Sequence, residues 1–201
     1  MKRTMLFAVM LALISGSSLN AQRISLEKGD FDFLTGQEQL LVKYDYSDLS
    51  VGNYDKEEEY IADKVEEYNN DEAGKGDEWK EAWLSDRPNR FEPKFEELFN
   101  LTIAEKDLEC SSMAESAAYE VVVHTTFVEP GFNVGIARKN ASINVEMIFR
   151  EISSGNEMAV LTITNCPGRG AMGFDFDTGY RIEEAYAMLG RSVARYLLKR
   201  F

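Results

Sequence analysis

YEVVVHTTFV, residues 119–128, places a β-branched or aromatic residue at every second position. Val121, Val123, Thr125 and Phe127 fall on one side and Val122, His124 and Thr126 on the other. This period of two marks a strand with one buried face. Further along, 142–152 repeats the pattern through Ile143, Val145, Met147 and Phe149, and 158–165 supplies another strand. Ser153-Ser154-Gly155-Asn156 between these two reads as a hairpin turn. Residues 119–165 are therefore expected to form an antiparallel meander.

Upstream, Leu40–Tyr46 alternates as a first strand, and helical signals follow it. Residues 54–68 put Ile61, Val65 and Tyr68 on one stripe. After the break at Gly74-Lys75-Gly76, Asp77 can cap a helix carrying Trp79 and Trp83. A further helix begins near Phe91 and aligns Phe91, Phe95, Leu98 and Phe99. Aromatic residues at such spacing are expected in the core. A short strand is expected at 101–106. The last segment is a strongly amphipathic helix with Ile182, Ala185, Tyr186, Leu189, Val193, Tyr196 and Leu197 on one stripe, acids near its start and bases near its end. The expected architecture is α/β (α+β), with a four- or five-stranded mixed sheet and helices on one face. Its order is strand, helices, strand, then the meander, closed by the C-terminal amphipathic helix. The third and fifth strands then run the same way, so loops 129–141 and 167–177 share one end of the sheet.

The N-terminus predicts the compartment. Lys2 and Arg3 precede an apolar run from Met5 to Ile14, and a small, polar stretch ends at Ala21. This is the pattern of a secretory signal peptide cut after Ala21, too short to span a bilayer. Residues 1–21 are thus expected to be a leader and 22–201 one globular domain in the periplasm or outside the cell. No cysteine lies near the cut, and no later segment approaches the ~18 apolar residues of a membrane span. Stable membrane insertion is not expected. A net charge of −13 opposes nucleic acid and anionic lipid as partners. Residues 55–81 carry twelve acids against four lysines, the composition of a solvated helix face.

Gly168-Arg169-Gly170-Ala171-Met172-Gly173 is a literal G-x-G-x-x-G, but its surroundings contradict dinucleotide binding. Phe174-Asp175-Phe176-Asp177 separates it from the helix, no strand follows that helix, and no acid occurs after Glu184 to hold a ribose. No P-loop Gly-Lys-Ser/Thr is present, and no cofactor is expected. Asp175 and Asp177 lack the remaining ligands of a calcium loop, so no metal site is assigned. Asp177 or Thr178 suits the N-cap of the closing helix. The two loops combine glycine with apolar residues on what should be surface. They offer Phe132, Val134, Arg138, Arg169, Met172, Phe174, Asp175 and Asp177 as candidate binding residues; the alternative is that the loops pack on each other. No catalytic residue is assigned, and His124, the sole histidine, reads as a sheet position. Cys110 and Cys166 form a possible disulfide in an oxidising compartment, although they fall at opposite sheet ends in the expected topology.

Two strings, 119–135 (YEVVVHTTFVEPGFNVG) and 167–186 (PGRGAMGFDFDTGYRIEEAY), resemble a group of exported proteins of Gram-negative bacteria, over about half of the chain. More remotely, the order of elements is similar to small α/β domains of envelope accessory proteins, such as the N-terminal domain of TolB and the lipoprotein activators of penicillin-binding proteins. That is a fold-level analogy. It implies binding of a partner without an active site. The chain lacks the activators' lipobox cysteine, so their membrane anchor is not carried over. The expected function is a non-enzymatic cell-envelope binding or accessory protein acting through the two glycine-containing loops on an envelope protein or a small ligand. The alternative is a periplasmic hydrolase of glycan or peptide using unassigned carboxylates.

Overall fold

The computed structural model describes residues 21–133, 138–168 and 177–201. Strands β1 (Arg23–Gly29), β2 (Gln39–Asp45) and β3 (Ser50–Val51) precede helices α1 (Glu57–Asp71) and α2 (Lys75–Asp86). A π-turn (Arg87–Phe91) leads into α3 (Glu92–Ile103) and then β4 (Glu109–Ser111). Strand β5 (Tyr119–Glu129), the short ribbon β6 (Phe132–Asn133) and β7 (Arg138–Lys139), β8 (Ser142–Glu151), β9 (Glu157–Pro167) and α4 (Thr178–Leu197) complete the chain.

The expected mixed α/β architecture is present, with a wider sheet. Seven strands run in the order β1-β9-β8-β5-β2-β4, with β3 continuing beside β5. The meander is antiparallel through β5, β8 and β9, whereas β2 lies parallel to both β4 and β5. Ile143, Val145, Met147 and Phe149 of β8 are buried, as are Ala159, Leu161 and Ile163 of β9. The alternate residues keep partial exposure, as in a sheet with helices on one side. Each such Val, Leu, Ile or Phe side chain contributes about 1.5–3 kcal/mol on burial.

Three local expectations are corrected. The strand expected at 101–106 is instead the end of α3 and a 3-10 turn (Ala104–Lys106), and the strand falls at β4. The helical spacing of Phe95, Phe99 and Ile103, all buried, carries α3 through that stretch, and Asp107 at φ 54° reverses the chain. Phe127 does not face the core. A bulge between Thr125 and Phe127 shifts the register by one, so the next inward residue after Thr125 is Val128. Finally, β1 and β3 have no expected counterpart. Among the described residues β1 is an edge strand paired only with β9, and its mixed sequence RISLEKG carries little periodic signal.

Helix α4 supplies the lid of the core. Ile182, Ala185, Tyr186, Leu189, Val193 and Leu197 are buried, as its stripe predicts. It also approaches α3 at backbone distance. A Cβ on Gly190 would stand 2.4 Å from the Phe95 carbonyl oxygen and 3.0 Å from the Phe99 amide nitrogen. Helix propensity alone favours alanine there, but this contact reverses the sign. Gly190→Ala is expected to destabilise the fold by about 1–3 kcal/mol, the usual range for overpacking, measured by urea denaturation.

The possible disulfide is not formed: Cys110 and Cys166 are both free and buried. Cys110 lies on β4 and Cys166 on β9, with β2, β5 and β8 between them. At ~4.8 Å per strand step they stand ~19 Å apart, far beyond the roughly 7 Å Cα limit for a bridge. Burial raises the Cys110 thiol well above its ordinary range and pushes Cys166 up to about 12. Neither thiol should react with iodoacetamide in the native protein, and both should be alkylated after denaturation without reductant. A mass lacking two adducts under those conditions would contradict the structure.

Candidate functional site

Strands β5 and β9 are both antiparallel to β8, so the segments that follow them emerge at the same end of the sheet. The Gly168 amide donates to the Ala141 carbonyl at 2.8 Å, joining the two loops at their bases. Gly168 is required by close approach, because a Cβ there would lie 2.0 Å from the Arg181 carbonyl oxygen. Arg181, in the first turn of α4, is 3% exposed. Its Nε donates to the Pro130 carbonyl at 3.1 Å, and its Nη2 donates to Gly131 O at 3.3 Å and Thr178 Oγ1 at 2.8 Å. A buried guanidinium thereby fastens the helix start to the loop after β5. Glu129 accepts from the Gly131 amide at 3.0 Å and pairs with Lys139 at 2.5 Å.

Asp177 is the N-cap of α4, as the sequence suggests. Its Oδ1 accepts from the amides of Gly179 at 2.8 Å and Tyr180 at 3.3 Å. Arg90 approaches from the π-turn, with Nη1 3.1 Å from Asp177 Oδ2 and Nη2 3.1 Å from Glu183 Oε2. Partial burial works to raise the Asp177 pKa, but the Arg90 hydrogen bond and charge and the two amides outweigh it. The carboxyl ends below the usual aspartate range.

A groove of about 630 Å³ lies beside these anchors. Its wall is aromatic: Tyr54 follows β3, Tyr60 and Tyr68 come from α1, Trp79 from α2 and Phe132 from β6. The rings brace one another. Tyr60 meets Tyr54 at 5.5 Å and Trp79 at 5.7 Å in edge contacts, and Tyr68 lies 5.8 Å from Trp79. Trp79 in turn stacks on the buried Trp83 at 5.6 Å. Burial, with the nearby Tyr68 and Tyr54, raises the Tyr60 phenol. Tyr54 donates its hydroxyl to Asp63 at 2.8 Å. Phe132 is 44% exposed and lines the groove.

Two carboxylates near this end, Glu129 and Glu57, are held by partners. Glu129, the one acid among the described residues lining the groove, carries the two contacts above. A neighbouring pocket of about 450 Å³ includes Asp48, Glu57 and Glu58. Glu57 is buried there, accepting from Trp83 Nε1 at 2.7 Å and ion-paired with Arg87. Among the described residues, no group of three or more His, Cys, Asp or Glu could hold a metal ion. His124 sits in mid-strand on β5, its Nε2 2.9 Å from the Ser47 carbonyl. No helix of the described residues is long and apolar enough to cross a membrane.

Of the candidate binding residues, Phe132 lines the groove, Asp177 caps α4 beside it, and Arg138 is exposed on β7. Val134, Arg169, Met172, Phe174 and Asp175 lie outside the described residues, as does the G-x-G-x-x-G beyond Gly168. The sequence reading missed Tyr54 and Tyr60 and assigned Trp79 to the core. The expected stripe of α1 is only partly buried: Ile61 packs against the core and lines a neighbouring pocket with Val65 and Leu84, while Tyr60, one position away, is the more deeply buried ring. The missed signal is Tyr60, Lys64 and Tyr68 at i, i+4 and i+8. A stripe with a lysine at its centre marks a face that stays partly in water.

No protein-family model matches the chain, and the search of curated proteins finds no relative. Among solved structures, two of the PelC dodecamer from Paraburkholderia phytofirmans align at a TM-score of 0.36. They share 12% and 13% identity and cover 85% of this chain and 98% of theirs. A likeness so loose carries nothing about function.

The cap yields a test. Asp177→Ala is expected to destabilise the protein at neutral pH by about 1 kcal/mol, the usual contribution of an N-cap. Because the folded carboxyl titrates below its unfolded value, its stabilisation is present above the ordinary aspartate pKa and is lost as pH falls through the folded one. The gap between wild type and variant should therefore close as denaturation is measured at progressively lower acidic pH. A gap that persists unchanged below the aspartate range would contradict the assignment.

Proposed function

We propose that this chain is an exported, non-enzymatic protein of the cell envelope, periplasmic or secreted, that binds a protein or small ligand at the end of the sheet where the two glycine-containing loops emerge. One observation carries the reading: a groove of about 630 Å³ with an aromatic wall, anchored to the start of α4 by the buried Arg181. Concave surfaces where aromatic rings and placed polar groups converge are where proteins bind ligands. Tyrosine and tryptophan supply large contact area at low entropic cost. The committed state of Glu57 and Glu129 supports binding over hydrolysis, because paired-carboxylate chemistry needs two acids free to face a substrate. The leader-like N-terminus and the resemblance to exported proteins support the location.

Photo-crosslinking in cells tests the reading. A crosslinker at Phe132 is expected to capture a defined envelope component, and Tyr68→Ala should weaken that capture several-fold. Met113, 83% exposed in the segment before β5, is the control position. Capture at Phe132 no different from that at Met113 would sink the groove. Retention of the protein in the cytoplasmic fraction would sink the location.

A further inference from the structure

Gln22 stands immediately before β1, whose first pairing is Arg23 with Thr164. Ala21 is exposed and Gln22 partly buried. The Gln22 side chain reaches across to α4, where Ser192 Oγ donates to its Oε1 at 3.1 Å. Its Nε2 is buried and has no hydrogen-bond partner among the described residues. The side chain is thus half satisfied: the carbonyl oxygen is held, and the amide nitrogen is stranded in a site that penalises an unpaired donor.

We propose that Gln22 is a modification site: freed by cleavage after Ala21, it cyclises to pyroglutamate with Ser192 assisting. The inference rests on the export reading above. In the reaction the new α-amino nitrogen attacks Cδ of its own side chain. A bond forms between that nitrogen and Cδ, and the bond from Cδ to Nε2 breaks. Nε2 departs as ammonia, taking one proton from the attacking amine. Nothing is oxidised or reduced, and no co-reactant enters. Negative charge develops on Oε1 as the tetrahedral centre forms, and the Ser192 hydroxyl already points a donor at that oxygen. Ring closure retains the oxygen that Ser192 binds and expels the nitrogen that has no partner among the described residues. The product has no free α-amine, so aminopeptidases lose their point of attack on β1, a strand at the edge of the sheet beside β9.

The test is mass spectrometry of the full-length chain expressed with its own leader and recovered from the envelope, sampled over time. The mature wild type is expected to begin at residue 22 and to be lighter than its sequence mass by one ammonia. Ser192→Ala, checked for folding by circular dichroism, should cyclise roughly 3- to 10-fold more slowly, the ratio one net hydrogen bond supplies. A chain that begins at Gln22 and keeps its full mass would overturn the proposal while leaving export intact. A chain that begins elsewhere would overturn the proposal together with the cleavage position, and one that retains the leader would overturn the export reading as well. Equal rates in wild type and Ser192→Ala would overturn the part given to Ser192.

Discussion

Arg87 and Arg90 leave the chain on a π-turn that widens the helix between α2 and α3, and so they reach different neighbours. Arg87 pairs with Glu57 at the start of α1 and lies over the Tyr46 ring at 4.2 Å. Arg90 gathers Asp86, Asp177 and Glu183, joining the end of α2 to the start of α4. Phe91, from the same turn, stacks on Tyr186 at 5.3 Å with the rings nearly parallel. One five-residue segment therefore sets the positions of α1, α2 and α4 around α3. Ion pairs of this kind add little net stability, because desolvation offsets their attraction. Their consequence is geometric: removing one partner strands a charge, so alternative packings of the helical layer are disfavoured. The groove inherits this arrangement, since its α1 wall and its α4 anchor are both held through the turn.

The sheet contributes a second constraint at the same end. The β5 bulge at Thr126 lies against Asn144 of β8, which also accepts from the Asn165 amide through its side chain at 2.8 Å. Asn165 is itself at φ 54°, beside an irregularity in the pairing of β8 with β9. Two neighbouring strands thus change register at nearly the same height. Thr125, the last inward residue before the β5 bulge, meets Tyr186 OH through its hydroxyl at 2.7 Å. Burial, partly offset by Thr125, pushes that phenol up to about 12. Past the bulges, Val128 and Cys166 are buried and the chain enters the two loops with their bases joined. Bulges are a common means of redirecting a sheet edge next to a binding site.

These features explain what could be read from the amino acids. The meander and α4 were legible because their periods persist over ten or more residues, enough for burial to dominate local preference. The Asp177 cap was legible because an aspartate before a helix has a local partner in the helix amides. Phe127 was misplaced because a bulge resets the period without any distinctive residue at Thr126. The π-turn left no trace in the pattern, since Arg87-Pro88-Asn89-Arg90 also suits an interhelical loop. β4 was displaced because apolar residues at 101–103 serve a helix and a short strand equally well. Phe132, singled out from its glycine-bearing loop, does line the groove, whereas the places of Tyr60 and Trp79 in its wall were hidden. Aromatic spacing shows that a helix face packs against something, but not whether the packing closes over the rings.

The charge distribution bears on what can occupy the groove. A net charge of −13 repels anionic solutes at long range, and such fields act mainly on association rate. Among the described residues two cations line the groove, and both are engaged within the protein. Lys64 is paired with Glu67 at 2.6 Å and sits 5.7 Å from the centre of the Tyr68 ring, and Arg181 is buried against loop carbonyls. An anionic ligand would therefore meet repulsion on approach and little compensation on arrival. Rings and hydroxyls favour the opposite kind of occupant, a neutral or cationic group with a flat or apolar face. Acidity, which the composition displays at once, and the aromatic wall, which only the folded chain assembles, would disfavour the same class of occupant, an anion, by independent physics.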